Sequence, residues 1–148
     1  MRLPAAEIEL IRDACELHDL GKIGVEDSIL GKPTSLTSQE WEQIKRHPQI
    51  AAQILEPLTF LNGVIDLVKQ HHEHYDGSGY PEGRRGDDIL LGARIIHVAD
   101  AYEAMRSPRS YRLVPLSKEE AILEIKKNNG QQFDPKVVEA FLKVVDKL

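Results

Sequence analysis

Hydrophobic residues recur at intervals of three and four positions along most of the chain, and glycine and proline interrupt each run. Such spacing places the apolar side chains on one face of a helix. The first run predicts a helix over about 4–20, and the segment 25–36, which contains glycine and proline, is interpreted as a loop. No segment alternates apolar and polar residues for long, so the pattern predicts an all-α domain.

Capping and helix-breaking residues set the other predicted helices. Thr37 and Glu40 have the spacing of a capping box, which predicts a helix that begins near Ser38. We expect it to end at His47, because Pro48 disfavours helical backbone in the residue before it. The remaining predicted helices run over about 48–55, 62–74, 91–106, 117–129 and 134–147, with a loop over 75–90.

The composition is that of a soluble globular protein of one domain. The chain has 148 residues, of which 41% are hydrophobic and 29% charged. The net charge of −5 argues against a surface that binds DNA or RNA polymers. Cys15 is the only cysteine, which excludes an internal disulfide and fits a reducing cytoplasm. No apolar stretch approaches the roughly 20 residues that span a bilayer.

Six residues with ligating side chains lie at the ends or in the middle of predicted helices. They are His18, Asp19, His47, His71, His72 and Asp100. Helix bundles build metal sites from such inward side chains, and imidazole with carboxylate suits iron, manganese, zinc or nickel. An aspartate that bridges two metals roughly 3.5–4 Å apart would favour attack of water at phosphorus. The alternative is that a lone histidine caps a helix, and that residues 71–74 form a solvated helix end.

A second group of residues offers contacts to a phosphate or a base. Lys22 follows His18 by four positions, and its ammonium can bind a phosphate oxygen. Arg109 and Arg112 flank a tyrosine, and two guanidinium groups can form paired hydrogen bonds with phosphates. Tyr80 lies in a loop dense in glycine and proline. An ordinary turn and a solvated basic loop are the alternatives for these two segments. His97, one helical turn before Asp100, is interpreted as structural.

The order of these segments resembles one known family, the HD-GYP domain, a subgroup of the HD phosphohydrolases. The matching segments are HDLGKIG, His47-Pro48, HHEHYDGSGYP, ARIIHVADAYEAM, SPRSYR and GQQFDP. The resemblance implies an HD-domain-like helical bundle of about six to seven helices. It also implies a centre of two or three divalent metal ions, chiefly iron or manganese. The implied reaction is hydrolysis of cyclic di-GMP to the linear dinucleotide and, in some members, to GMP.

The resemblance also assigns roles by position. The metal ligands it implies are His18, Asp19, His47, His71, His72 and Asp100, with Asp19 as the bridging carboxylate. Asp19 and Lys22 would act as catalytic residues. The residues it implies for substrate contact are Lys22, Tyr80, Arg109 and Arg112.

One departure from the family pattern concerns the amino-terminal end. Family members normally begin with a helix that carries a further histidine ligand, whereas no histidine precedes His18. We therefore expect residues 1–148 to form a single HD-GYP-like domain that is truncated at its amino-terminal end. The open ligand position leaves an alternative, a degenerate or incomplete module that binds nucleotide or a protein partner without turnover. A third hypothesis for the function is a different HD-type nucleotide hydrolase. The resemblance further implies a regulatory or receiver domain in the parent protein, and homodimerisation is a candidate property.

Overall fold

A computed structural model describes residues 1–108 and 114–147, and it confirms the all-α prediction. The eight α-helices of these residues are α1 (Ala5–Leu17), α2 (Asp27–Leu30), α3 (Ser38–Ile44), α4 (His47–Leu55), α5 (Asn62–Gln70), α6 (Leu91–Arg106), α7 (Lys118–Lys127) and α8 (Pro135–Leu142). Short 3-10 turns cover Leu20–Gly24, Thr59–Leu61, Gly86–Asp88 and Val145–Lys147. An isolated bridge between Asn129 and Phe133 is the one β-type pairing within the described ranges.

The helix count exceeds the predicted six to seven by a short element. α2 is a single turn of four residues within the segment predicted as loop. The longest described helix, α6, has 16 residues, and no helix in the described ranges is long and apolar enough to cross a membrane. The predicted bounds of α6 agree with the structure.

Two hydrophobic clusters share α6. The first joins α1, α4, α5 and α6, and its buried members are Ala14, Ala51, Val64, Leu67, Val68, Ile89, Ala93 and Ile96. The second joins α6 to α7 and α8, and its buried members are Val98, Ile125, Phe133, Val137 and Val138. α6 is therefore buried on two sides.

Two helix ends differ from the prediction in ways that matter for the site. The prediction that His47 ends a helix is wrong. α3 ends at Ile44, and His47 is the first residue of α4. Pro48 occupies the first turn of α4, where a backbone N–H has no helical partner and its absence costs nothing. α5 ends at Gln70 rather than near residue 74, so that His71 caps the helix and His72 lies in the following turn.

Gly21 lies where the 3-10 turn after α1 crosses α4. A Cβ atom at this position would overlap the carbonyl oxygen of His47 and lie 2.6 Å from the amide nitrogen of Ala51. Only glycine permits this approach of two backbones. The contact brings the end of α1 against the first turn of α4, and so places the His18-Asp19 pair beside His47.

Candidate metal centre

The six predicted ligands meet in one region of the fold, although they come from four helices. His18 caps the end of α1, and Asp19 follows it. His47 opens α4, His71 and His72 follow α5, and Asp100 lies within α6. The ends of three helices and the middle of a fourth therefore supply all six side chains.

Three of the histidines form a compact cluster. One ring nitrogen from each of His47, His71 and His72 lies within 4.8 Å of the others. The first two rings are 1% and 0% exposed, whereas His72 is partly exposed. The Nε2 atoms of His47 and His71 are 3.4 Å apart. The three nitrogens are close enough to coordinate one metal ion together.

The two aspartates connect this cluster to His18. One carboxylate oxygen of Asp19, Oδ1, lies 3.6 Å from Nε2 of His18 and 3.8 Å from Nε2 of His47. Oδ1 of Asp100 also lies 3.6 Å from Nε2 of His18. Asp19 thus stands between the imidazoles of two different helices. This position is compatible with the bridging role predicted for Asp19.

Hydrogen bonds to the backbone fix how three of the imidazole rings face. The Nδ1 atoms of His18, His47 and His71 lie 2.6, 2.8 and 2.6 Å from the carbonyl oxygens three residues earlier. Nδ1 must donate in these bonds, which leaves the lone pair on Nε2 in the neutral rings of His47 and His71. Metal-binding histidines are held by such partners. The facing lone pairs of His47 and His71 repel unless a cation lies between them, so the cluster fits a metal ion.

The protonation states of His47, His71 and His72 also fit metal binding. Burial lowers the pKa of His47 and His72, and it lowers the pKa of His71 to about 3. These rings are neutral near pH 7, which is the form that ligates a metal. Burial also acts against a charged His18, but the hydrogen bond with Asp100 and the Asp19 charge outweigh it and raise its pKa.

Two predicted substrate-contact residues border the cluster. Nζ of Lys22 donates to Oδ2 of Asp19 at 2.6 Å, and an ammonium group has two further donors. The ring of Tyr80 stacks on His72 with 4.8 Å between centroids. Burial, together with the charges of Asp100 and Asp19, raises the pKa of Tyr80, so its phenol stays neutral and can donate. Both side chains therefore lie beside predicted metal ligands, Lys22 at Asp19 and Tyr80 at His72.

The other predicted substrate-contact residues, Arg109 and Arg112, lie outside the described residues. Their predicted phosphate contacts therefore stay predictions. The ligand roles of the six clustered residues also stay predictions, because their proximity alone does not show a bound ion.

Glu73 organises the loop that carries Tyr80, a role that the sequence did not indicate. Its side chain is 2% exposed, and its two carboxylate oxygens accept the backbone N–H groups of Glu82 and Arg84 at 2.8 and 2.9 Å. The loop closes further on the end of α5, since the amide of Tyr80 donates to the carbonyl oxygen of His72. The role of Glu73 was missed because, among the histidines of residues 71–74, it was interpreted as part of a solvated helix end.

Replacing Glu73 with glutamine is expected to loosen this loop. A glutamine amide presents an NH2 group to one of the two backbone donors, so a buried N–H loses its acceptor. We expect the free energy of unfolding to fall by about 2 kcal/mol, measured by urea denaturation. The matched control is Glu82→Gln, since the Glu82 side chain is exposed and pairs with Arg84 at the surface. Equal stabilities of the two variants would contradict the assigned role.

A chain of hydrogen bonds reaches the site from the carboxyl-terminal part of the protein. The buried ring of His97 donates through Nδ1 to the carbonyl oxygen of His71 at 2.5 Å. Its other nitrogen, Nε2, lies 3.0 Å from the side-chain amide of Gln132 and accepts from it. The interpretation of His97 as structural agrees with this position. Gln132 was not identified from the sequence, because its partner is 35 positions away.

Comparison with known proteins gives a consistent result. The sequence model of the HD domain family matches residues 3–137. A cyclic di-GMP phosphodiesterase of Vibrio cholerae is 41% identical over 152 residues, which cover 98% of this chain and 31% of that protein. The 3'3'-cGAMP-specific phosphodiesterase 2 of the same organism is 37% identical over 95% of this chain and 27% of its own length. The chain thus spans between about a quarter and a third of the length of these curated relatives.

Solved structures share the fold. An HDG"Y"P protein from Bdellovibrio bacteriovorus superposes with a TM-score of 0.75 over 95% of this chain and 44% of that one. Sequence identity in this superposition is 20%, so the likeness concerns the arrangement of helices. That arrangement is the one that brings the ends of α1, α4 and α5 together.

Proposed function

Since the chain belongs to the HD domain family, and within it to the HD-GYP group, we propose that it is a metal-dependent phosphodiesterase that hydrolyses cyclic di-GMP. The observation that carries this proposal is the cluster of neutral imidazoles joined to His18 through Asp19. The names of the relatives supply the substrate class, and they include both cyclic di-GMP and 3'3'-cGAMP phosphodiesterases. The product is the linear dinucleotide, with GMP as a further product if the second bond is also cleaved.

The proposed metal centre uses the residues that the structure brings together. Two or three divalent ions, iron or manganese, are proposed to bind to His18, Asp19, His47, His71, His72 and Asp100. Ions held by such ligands supply Lewis acidity toward phosphate oxygens and activate the attacking water. Imidazole and carboxylate ligands without thiolates suit these ions.

Within this centre, Asp19 and Lys22 act together as the proposed catalytic residues. Asp19 uses Oδ1 toward the histidines and Oδ2 toward Lys22, so one carboxylate orients both. The Lys22 ammonium keeps donors available for a non-bridging phosphate oxygen, where negative charge increases during attack. Tyr80, neutral and half-buried beside His72, would donate to a second phosphate oxygen and exclude water from that side.

Arg109 and Arg112 are proposed to bind the second phosphate of the cyclic dinucleotide. They follow α6, the helix that carries Asp100, and Pro108 just before them lines a cavity together with His18 and Asp19. A guanidinium group binds a phosphate through two parallel hydrogen bonds, which fixes orientation as well as charge.

The test is hydrolysis with control of the metal. The purified protein is analysed for iron and manganese, incubated with cyclic di-GMP or 3'3'-cGAMP, and assayed for linear products by chromatography. We expect turnover that is lost after treatment with a chelator and regained when Fe²⁺ or Mn²⁺ is added, because neutral imidazoles without an ion offer no Lewis acid.

Calorimetry separates the proposed enzyme from a binding module. Stoichiometric binding of cyclic di-GMP by the metal-loaded protein without any linear product would contradict turnover. The same result would support the alternative, a module that binds nucleotide only.

A further inference from the structure

A cavity of about 830 Å³ opens beside the proposed catalytic residues. Asp19 and Lys22 form its inner edge. The other walls come from α2, α3 and the loop between them, and their apolar members are chiefly Ile29, Leu30, Leu36, Trp41 and Ile44. Ligand pockets occupy roughly 300–1,000 Å³ and combine apolar walls with a few polar groups. This cavity has both the size and the composition of one.

The wall that carries Trp41 is held in a defined place. Thr37 and Glu40 form a complete capping box at the start of α3. The Glu40 carboxylate also binds the ammonium of Lys32 through both oxygens, at 2.8 and 2.7 Å. The loop before α3 is thereby fastened to the helix on which Trp41 lies. Trp41 itself is 44% exposed, although it is the largest apolar side chain of the wall.

Two other cavities fit a nucleobase less well. One of 610 Å³ lies along α3 and is lined by Glu42, Gln43 and Arg46 among others, and none of the proposed metal-binding residues is part of its lining. One of 390 Å³ includes Asp19, but two further carboxylates, Asp100 and Glu103, line it. The larger cavity is the one that joins an apolar aromatic wall to the Lys22 ammonium.

We propose that the cavity lined by Trp41 binds a purine base of the cyclic dinucleotide whose phosphate is held at Lys22. The inference rests on the proposed function for the identity of the substrate. The cavity begins at Asp19 and Lys22, so a nucleoside joined to a phosphate at Lys22 has this cavity directly beside it. Aromatic side chains bind bases by stacking, which tolerates any base with a flat face. Trp41 then contributes to affinity for the base while remaining outside the reacting centre.

Intrinsic fluorescence provides a direct test, because Trp41 is the only tryptophan of the chain. The protein is titrated with GMP and, separately, with ribose 5-phosphate, which carries the same phosphate without a base. We expect GMP to quench the indole emission with saturation, and ribose 5-phosphate to leave it unchanged. An equal response to both compounds would overturn the proposal, since the signal would then report phosphate binding alone.

Kinetics of variants test the same assignment independently. Trp41→Ala is expected to raise the KM for cyclic di-GMP by about fivefold or more, whereas kcat changes little. Trp41→Phe should keep a KM near that of the unchanged protein, because a phenyl ring still stacks. Phe60→Ala is the matched control, since Phe60 is 81% exposed and does not line the cavity. An unchanged KM in Trp41→Ala would overturn the proposal.

The two proposals fail in different ways. Turnover without base-dependent quenching removes the base site and leaves the phosphodiesterase intact. Base-dependent quenching without turnover supports the base site and contradicts the hydrolytic function.

Discussion

Replacing His71 with alanine is expected to remove bound metal and to lower cyclic di-GMP hydrolysis by roughly 100-fold or more. The ring of His71 is fully buried, its Nδ1 is fixed by the carbonyl oxygen of Val68, and its Nε2 faces that of His47. Loss of a side chain that only orients a metal ligand already costs about 10–100-fold in affinity or activity. Loss of a ligand itself should cost at least as much. Metal analysis and initial rates measure both effects.

The control for this variant is a histidine three positions away. His74 is half buried and its Nδ1 lies 2.9 Å from the hydroxyl of Ser78, outside the cluster of His47, His71 and His72. His74→Ala should therefore keep both metal and activity. Because His71→Ala also leaves a buried void, Asp19→Asn provides a second test with an unchanged shape. Asp19 is nearly half exposed, so its replacement should spare the fold. Full metal content and unchanged rates in both His71→Ala and Asp19→Asn would refute the metal centre.

Replacing Gly21 with alanine is expected to lower the free energy of unfolding by about 3 kcal/mol. The added methyl group would collide with the backbone of His47 and Ala51, and helical backbone cannot yield as a side chain does. The end of α1 and the start of α4 would have to move apart. The same displacement would separate Asp19 from His47, so activity should fall as well as stability. Urea denaturation and turnover measure the two losses.

Gly24→Ala is the matched control, since it makes the same substitution in the same turn. A Cβ at Gly24 would meet the end of the Ile50 side chain, which can change rotamer. We expect a loss of less than about 1 kcal/mol for this variant. If Gly21→Ala were as stable as Gly24→Ala, the close crossing of the turn and α4 would be wrong.

The sequence predicted the helices well where local signals were strong. The capping box predicted at Thr37 marks the start of α3 and is complete in the structure. The helix predicted over 117–129 corresponds to α7, which also begins with a complete capping box, at Ser117. The ends of helices were less accurate, because they depend on contacts with distant residues. α5, for example, ends where the loop after His71 folds back and is fastened by Glu73.

The candidate ligands were identified from residue type and order, and the structure places all six together. The sequence did not indicate which residues support these ligands. Glu73 acts on amides nine and eleven positions later, and Gln132 acts through His97. No periodicity marks such pairs. The cavity beside Lys22 was likewise not predicted, since it forms only when α2 and α3 are placed against the end of α1.

The burial of α6 on two sides has a consequence for cooperativity. α6 contributes buried side chains to both hydrophobic clusters. If either cluster opens, one face of α6 is exposed, and the same helix then supports the other cluster less firmly. α7 and α8 hold no proposed ligand, yet their detachment would uncover the helix that positions His97 and Asp100. By thermodynamic linkage, an ion bound among the histidines would then protect the amide hydrogens of distant α8 against exchange with solvent. Metal occupancy and the closure of the whole bundle would be a single equilibrium.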